Sequence, residues 1–213
     1  MSLLMLHYII KFNFLNNMDL KKFLKLRLIL KNLNLLFFKY LFTLIVRNNY
    51  LYLILKNNDI LNILFILKNH FLFSFTQLLD IIVIDRLEMS LVEGKRFSYV
   101  YVLLSVIYNI RIFINGFIGL FENLSSVSYI FKSADWLERE IWDMFGIFFV
   151  GHINLRRILT DYGFIGFPLR KDFPLSGYVE IRYDEITKSI VLEPLELSQE
   201  FRFFRLEIPW KKD

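Results

Sequence analysis

The 213-residue chain contains no cysteine, which excludes disulfides, thiolate metal sites, thiol nucleophiles and cysteine ligation of iron–sulfur clusters. Proline is absent before Pro168, and four of the eight glycines lie beyond residue 150, so the two ends of the chain obey different backbone rules. Alanine occurs once, at Ala134, against 24 Phe and 11 Tyr, with abundant Asn and Lys. That bias favours residues with A/T-rich codons and points to an organellar genome, so part of the mean hydropathy of +0.43 is codon drift. No long apolar run exists either. The longest uncharged stretch, Phe97 to Ile110, has 14 residues and includes Ser98, Ser105 and Asn109, whereas a spanning helix needs about 20 apolar residues. Met1 to Ile10 lacks both the basic start of a secretory signal and the Arg- and Ser-rich start of an imported precursor, which suggests synthesis in the compartment of use.

The charge is unevenly placed. The net charge of +5 is carried by residues 1–75, where ten Lys/Arg face only Asp19 and Asp59; the remainder is slightly acidic. A nucleic-acid-binding body would carry its basicity throughout. The first 48 residues read as a basic, Leu/Phe/Asn-rich helical arm, with Asp19 placed to cap a helix from Leu20.

Residues 49–147 read as an α/β domain. Tyr50 to Leu55 is a strand, and Asp59 precedes a helical stripe of Ile60, Leu61, Ile63, Leu64 and Leu67. Leu78 to Ile84 has the look of a buried strand, Phe97 to Ser105 alternates, and Ile110 to Ile114 forms a strand ending at an Asn115-Gly116 turn. The order implies one mixed sheet with helices packed against it.

The densest stretch runs from Asp135 to Asp184. Its helix starts at Ser133 or Asp135, where Asp135 and Glu138 have capping-box spacing, and ends at Gly146 in the left-handed position. Trp136, Leu137, Ile141, Met144 and Phe145 are expected on an apolar arc, with Glu140 inside it and seeking Arg156 or Arg157; Arg139 and Asp143 are expected to pair at i, i+4. Residues 148–213 read as an extended docking segment, with a helical turn at Leu155 to Thr160 and a hairpin pairing Tyr178–Tyr183 with Ile190–Glu193. Arg156, Arg157, Arg170, Lys171 and Arg182 alternate with Asp161, Asp172, Glu180 and Asp184, the pattern of an ion-pair network rather than a one-signed phosphate stripe. His152 has no second His or Cys nearby to complete a metal set, and no nucleophile elbow or phosphate loop is found. No catalytic, cofactor-binding or metal constellation emerges.

The runs Glu138 to Ile147, His152 to Leu159, Asp161 to Phe164 and Arg170-Lys-Asp172-Phe-Pro174-Leu-Ser-Gly177-Tyr178, with Glu193-Pro-Leu-Glu and Gln199-Glu-Phe-Arg, resemble the signature of the NADH dehydrogenase subunit 9 family. This is the 30-kilodalton-class peripheral-arm subunit of respiratory complex I. The resemblance covers about Asp80 to Trp210 and departs at Ile153 and Asn154, where the family has Pro and Asp, and at Phe167, where it often has His. It implies an α/β domain followed by a C-terminal segment that wraps the large quinone-module subunit and approaches the terminal Fe–S subunit. It further implies a mitochondrial inner-membrane location on the matrix side, without a span. FMN, Fe–S clusters, NADH and ubiquinone belong to other subunits of the proton-translocating NADH:ubiquinone reductase. An organellar ribosomal protein, or the related subunit of a membrane-bound hydrogenase, are the alternatives.

Overall fold

The computed structural model describes residues 29, 32, 33, 36, 37, 41–47, 50–55, 59–87, 94–202 and 204. The expected helix from Leu20 lies outside them. Two compact units are formed, residues 1–171 and residues 172–213.

The first unit is built on a five-stranded mixed sheet. Its strands are β1 (Leu41–Arg47), β2 (Tyr50–Leu55), β3 (Gln77–Asp85), β4 (Phe97–Ser105) and β5 (Ile110–Ile118), in the order β1-β2-β5-β4-β3. β2 and β5 are parallel and every other pairing is antiparallel. Helix α1 (Ile60–Asn69) makes the crossover out of β2 and buries Ile60, Ile63, Leu64 and Leu67. That is the expected stripe, except that Leu61 is exposed, and Asp59 makes no side-chain cap. Alternation along the strands turns Leu51, Leu53, Ile81, Val83, Tyr99, Tyr101, Ile112 and Ile114 into one core with α1. Phe37 extends that core, 6.4 Å from the Phe73 ring. Helix α2 (Ala134–Phe145) adds Ile141 and Phe145, and the short parallel pair β6 (Leu124–Ser125) and β7 (Phe149–Val150) lies on either side of it in sequence. Among the described residues no helix is long and apolar enough to cross a membrane.

Four local expectations change. Residues 41–47, placed in the helical arm, form a strand paired antiparallel to β2 from Arg47↔Tyr50 to Leu41↔Leu55, and that ladder supplies its backbone hydrogen bonds. β3 is buried on one face only, with Ile81, Val83 and Asp85 in the core phase and Leu79, Ile82 and Ile84 exposed, as in a strand whose sheet is covered on one side. β5 continues through Asn115-Gly116 instead of turning there. Gly116 lies opposite Tyr99, and a Cβ on it would stand 2.1 Å from the Tyr99 hydroxyl, so the glycine makes room for a buried ring. Residues 155–160 form no helical turn: 155–157 are irregular and 158–160 are bends, whose amides the carboxylate of Asp143 takes.

The second unit holds the hairpin β8 (Val179–Asp184) and β9 (Ser189–Pro194), paired Val179↔Pro194 through Asp184↔Ser189. The chain thus divides after residue 171, beyond the change in composition at 147–148.

Candidate functional site

α2 organises the charged stretch. At its C-terminus Gly146 has φ +71° and donates to the Trp142 carbonyl, the expected left-handed cap. A Cβ there would meet Phe167 at 2.5 Å and Arg170 at 2.7 Å, so conformation and space both demand glycine. At the N-terminus the expected capping box is absent: Ser133 donates to the Leu78 carbonyl of β3, and neither Asp135 nor Glu138 faces the first turn's amides.

Asp135 accepts from Arg139 at 2.7 Å, so Arg139 pairs backward along the helix and not forward with Asp143. Asp135 also lies 3.2 Å from Nε2 of His152. The Asn154 amide donates to Nδ1 of that ring, which leaves Nε2 as the donor, and the imidazole is fully enclosed.

Glu138 is completely buried, whereas Glu140 is exposed, which removes the expected pairing of Glu140 with Arg156 or Arg157. The buried face runs Ala134, Glu138, Ile141, Phe145, spaced by four, three and four, while Trp136 points out. A wheel centred on Ala134 and Ile141 instead of the bulky Trp136 finds Glu138 at once. Its carboxylate accepts from the Ser126 hydroxyl at 2.6 Å and the Val127 amide at 2.7 Å. Burial dominates and raises its pKa, although those two hydrogen bonds and His152 work against the rise.

Asp143 behaves in the opposite way. Oδ2 accepts from the amides of Ile158 (3.1 Å), Leu159 (2.7 Å) and Thr160 (2.9 Å); Oδ1 accepts from the Thr160 hydroxyl (2.6 Å) and from Arg157 (3.4 Å). Burial pushes its pKa up, but the donors from Thr160, Leu159 and Ile158 together outweigh it and hold the group below the ordinary value.

A third buried carboxylate, Asp85, escaped the sequence reading. It binds Arg96 through both oxygens, at 2.9 and 2.6 Å, and also accepts from the amides of Leu87 and Lys171. Burial again opposes ionisation, and Arg96 with the two amides overcomes it, leaving the pKa lowered. Alternation along β3 carries the signal: Ile81, Val83 and Asp85 share the buried phase.

Three buried acids therefore grip backbone amides at Val127, residues 158–160, and Leu87 with Lys171. Arg157 and Arg170 complete the arrangement. Arg170 donates to the Phe145 carbonyl at 2.6 Å and lies over the rings of Phe167 (4.4 Å) and Phe97 (5.6 Å). Arg157 donates to the Gly166 carbonyl and lies over Phe164 and Phe167. Phe167, also 6.0 Å from Trp142, fills this seat. Arg156 is exposed and has no ion pair among the described residues. Asp161 accepts from the Tyr162 amide. In the second unit, which opens at Asp172, Gly177 donates to Pro174 in a turn, and Tyr178 stands edge-on to Phe173. Among the described residues no three His, Asp or Glu side chains are arranged to hold a metal ion. The donors and acceptors face each other, not a shared open space. Chemically the arrangement fixes a surface.

The sequence profile described as respiratory-chain NADH dehydrogenase, 30 Kd subunit, matches residues 53–179. The chain belongs to that family. NADH-ubiquinone oxidoreductase subunit 9 of Acanthamoeba castellanii is 48% identical over 186 residues, spanning 86% of this chain and 92% of its own. NADH dehydrogenase (ubiquinone) iron-sulfur protein 3 of Beta trigyna is 50% identical over 157 residues, 73% of this chain and 80% of its own. Among solved structures, the trypsin-resistant fragment 1–134 of Nqo5 matches with a TM-score of 0.51 and 25% identity, over 62% of this chain and 99% of the fragment. An archaeal membrane-bound sulfane sulfur reductase shares the fold, with a TM-score of 0.58 at 24% identity, over 71% of this chain and 86% of its own. As a member of the 30-kilodalton family, the chain is a subunit-type protein of the respiratory NADH dehydrogenase. The ribosomal alternative gains no support from these matches.

Proposed function

We propose that the chain is a non-redox scaffolding subunit of the quinone-module arm of proton-translocating NADH:ubiquinone oxidoreductase. It stands on the matrix side of the mitochondrial inner membrane and holds the large quinone-module subunit and the terminal Fe–S subunit in register. One observation carries this reading: among the described residues no hydrophobic residue after Phe149 is buried. Residues 158–160 and Lys171 are fixed instead by the Asp143 and Asp85 carboxylates. Residues 172–204 present Leu175, Tyr178, Leu197, Phe201 and Phe204 outward, a composition suited to partner surfaces. The chain has no cysteine, so a relative's name containing "iron-sulfur protein" transfers to this chain only as a neighbour of such clusters, which other subunits hold, as they hold FMN, NADH and ubiquinone.

The test is to isolate the NADH:ubiquinone-reducing complex, identify its subunits, and measure iron in the separately purified chain. Recovery of the chain in the complex, with iron-free protein on its own, is expected. Stoichiometric iron and acid-labile sulfide in the isolated chain would overturn the non-redox assignment.

A further inference from the structure

A cavity of about 450 Å³ lies where the end of α1, the start of β3 and the loop before α2 meet. Two tertiary hydrogen bonds fix its walls. Lys68, in the last turn of α1, donates to the Ile130 carbonyl and lies 5.0 Å from the centroid of the Phe131 ring. Ser133 donates to the Leu78 carbonyl at 3.1 Å, which joins the loop to β3. The cavity is therefore preformed, and its volume falls within the roughly 300–1,000 Å³ of small-molecule sites.

The lining carries charge of one sign. Lys68 and Lys132 both contribute to it, and among the described residues no carboxylate does. The two acids nearest in sequence are committed elsewhere: Asp80 accepts from the Ile81 amide, and Asp135 accepts from Arg139. The Ile130 carbonyl occupies one N–H of the Lys68 ammonium and leaves the others for a ligand. Lys132 is exposed and has no ion pair among the described residues. The Thr76 hydroxyl and the Gln77 carboxamide, also in the lining, add donors without a partner among the described residues. A cleft lined by one sign of charge between low-dielectric walls concentrates the field, so it draws anions. These donors are spread over α1, the entry to β3 and the loop, which suits the oxygens of a tetrahedral phosphate better than the two coplanar oxygens of a carboxylate. The cavity has more room than a bare phosphate fills, and the exposed Leu79 and Tyr129 offer an apolar seat for an organic part.

We propose that this cavity binds a phosphate monoester, with Lys68 and Lys132 holding the phosphate. The inference is independent of the scaffolding reading and gives the first unit a ligand site of its own.

Calorimetric titration of the purified full-length chain with glycerol 3-phosphate tests it. Saturable binding is expected, with succinate bound about tenfold more weakly. Lys68→Met and Lys132→Met each remove one charge-assisted contact and are each expected to weaken glycerol 3-phosphate binding by about tenfold. Lys132→Met alters an exposed side chain without a structural bond, so it carries the test even where Lys68→Met fails to fold. Arg156→Ala lowers the net charge equally outside the lining and is expected to leave affinity within about twofold. No saturable binding of glycerol 3-phosphate, equal affinity for succinate, unchanged affinity in Lys132→Met, or an equal loss in Arg156→Ala overturns the proposal. A second arm separates the sources of the phosphate by sedimenting the full-length chain with phosphatidylcholine vesicles that contain or lack phosphatidic acid. Sedimentation that requires phosphatidic acid and is reversed by glycerol 3-phosphate supports the site with a lipid headgroup as its ligand. Binding of glycerol 3-phosphate without such sedimentation supports it with a soluble ester.

Discussion

Replacing Asp143 tests the energetics of the buried-carboxylate design. The side chain is fully enclosed and accepts five hydrogen bonds, three from consecutive amides, one from the Thr160 hydroxyl and one from Arg157. Asp143→Ala leaves those donors without an acceptor, and loss of one partner in a buried charged network costs about 3–5 kcal/mol. Thr160 and Ile158 are half-buried and Leu159 is exposed, so water recovers part of the loss and the lower end applies. A loss of about 3 kcal/mol corresponds to a melting temperature lowered by roughly 6–12 °C at this chain length. Asp143→Asn keeps one oxygen, and the expected cost is about 2 kcal/mol. The sign with pH is fixed by the lowered pKa: the carboxylate's contribution is full above the ordinary value of 3.8 and is lost as pH falls through the lower folded value. Thermal unfolding of the full chain is to be followed from pH 7 down to pH 3. A wild-type advantage over Asp143→Asn that stays constant above about pH 5 and shrinks in acid supports the account. Equal stability at pH 7, or an advantage that grows in acid, refutes it.

Glu138→Gln is expected to show the opposite pH trend, because burial raises the Glu138 pKa. The ionised native form carries a penalty that is absent below the ordinary value of 4.5 and complete above the raised one, so the variant gains on wild type as pH rises, as unfolding against pH will report. Gly116→Ala forces a methyl to within 2.1 Å of the buried Tyr99 hydroxyl and is expected to lower stability by about 1–3 kcal/mol or more, measured by urea denaturation. Arg157→Ala removes contacts to Asp143, Gly166, Phe164 and Phe167, and is expected to lower the amount of assembled complex on native gels more than its turnover. Arg156→Ala, altering an exposed side chain without an ion pair among the described residues, is expected to stay within about 0.5 kcal/mol of wild type in the same unfolding assay.

Elements defined by a short period were legible in the sequence: α1 through its apolar stripe, β4 through alternation, the β8–β9 hairpin through paired runs, and the end of α2 through Gly146. The partners of charged residues were not. Helical spacing offers Asp143 to Arg139, but loop residues 158–160 supply amides whose positions no helical wheel contains. Glu138 was misplaced because the large Trp136 looked like a core residue, whereas the small Ala134 marks the buried line. The strand at residues 41–47 was hidden by the Leu- and Phe-rich sequence before it, which has no period to distinguish helix from strand, although its own Thr43, Ile45 and Val46 are β-branched. Asn115-Gly116 has turn chemistry, yet the glycine answers to a tyrosine on the neighbouring strand.

The most direct test of the scaffolding claim is to compare NADH:ubiquinone turnover per assembled complex with the amount of complex assembled across Asp143→Asn and Arg157→Ala. The amount is predicted to fall while turnover per assembled complex stays at the wild-type value. Normal amounts of complex with turnover lost would contradict the account.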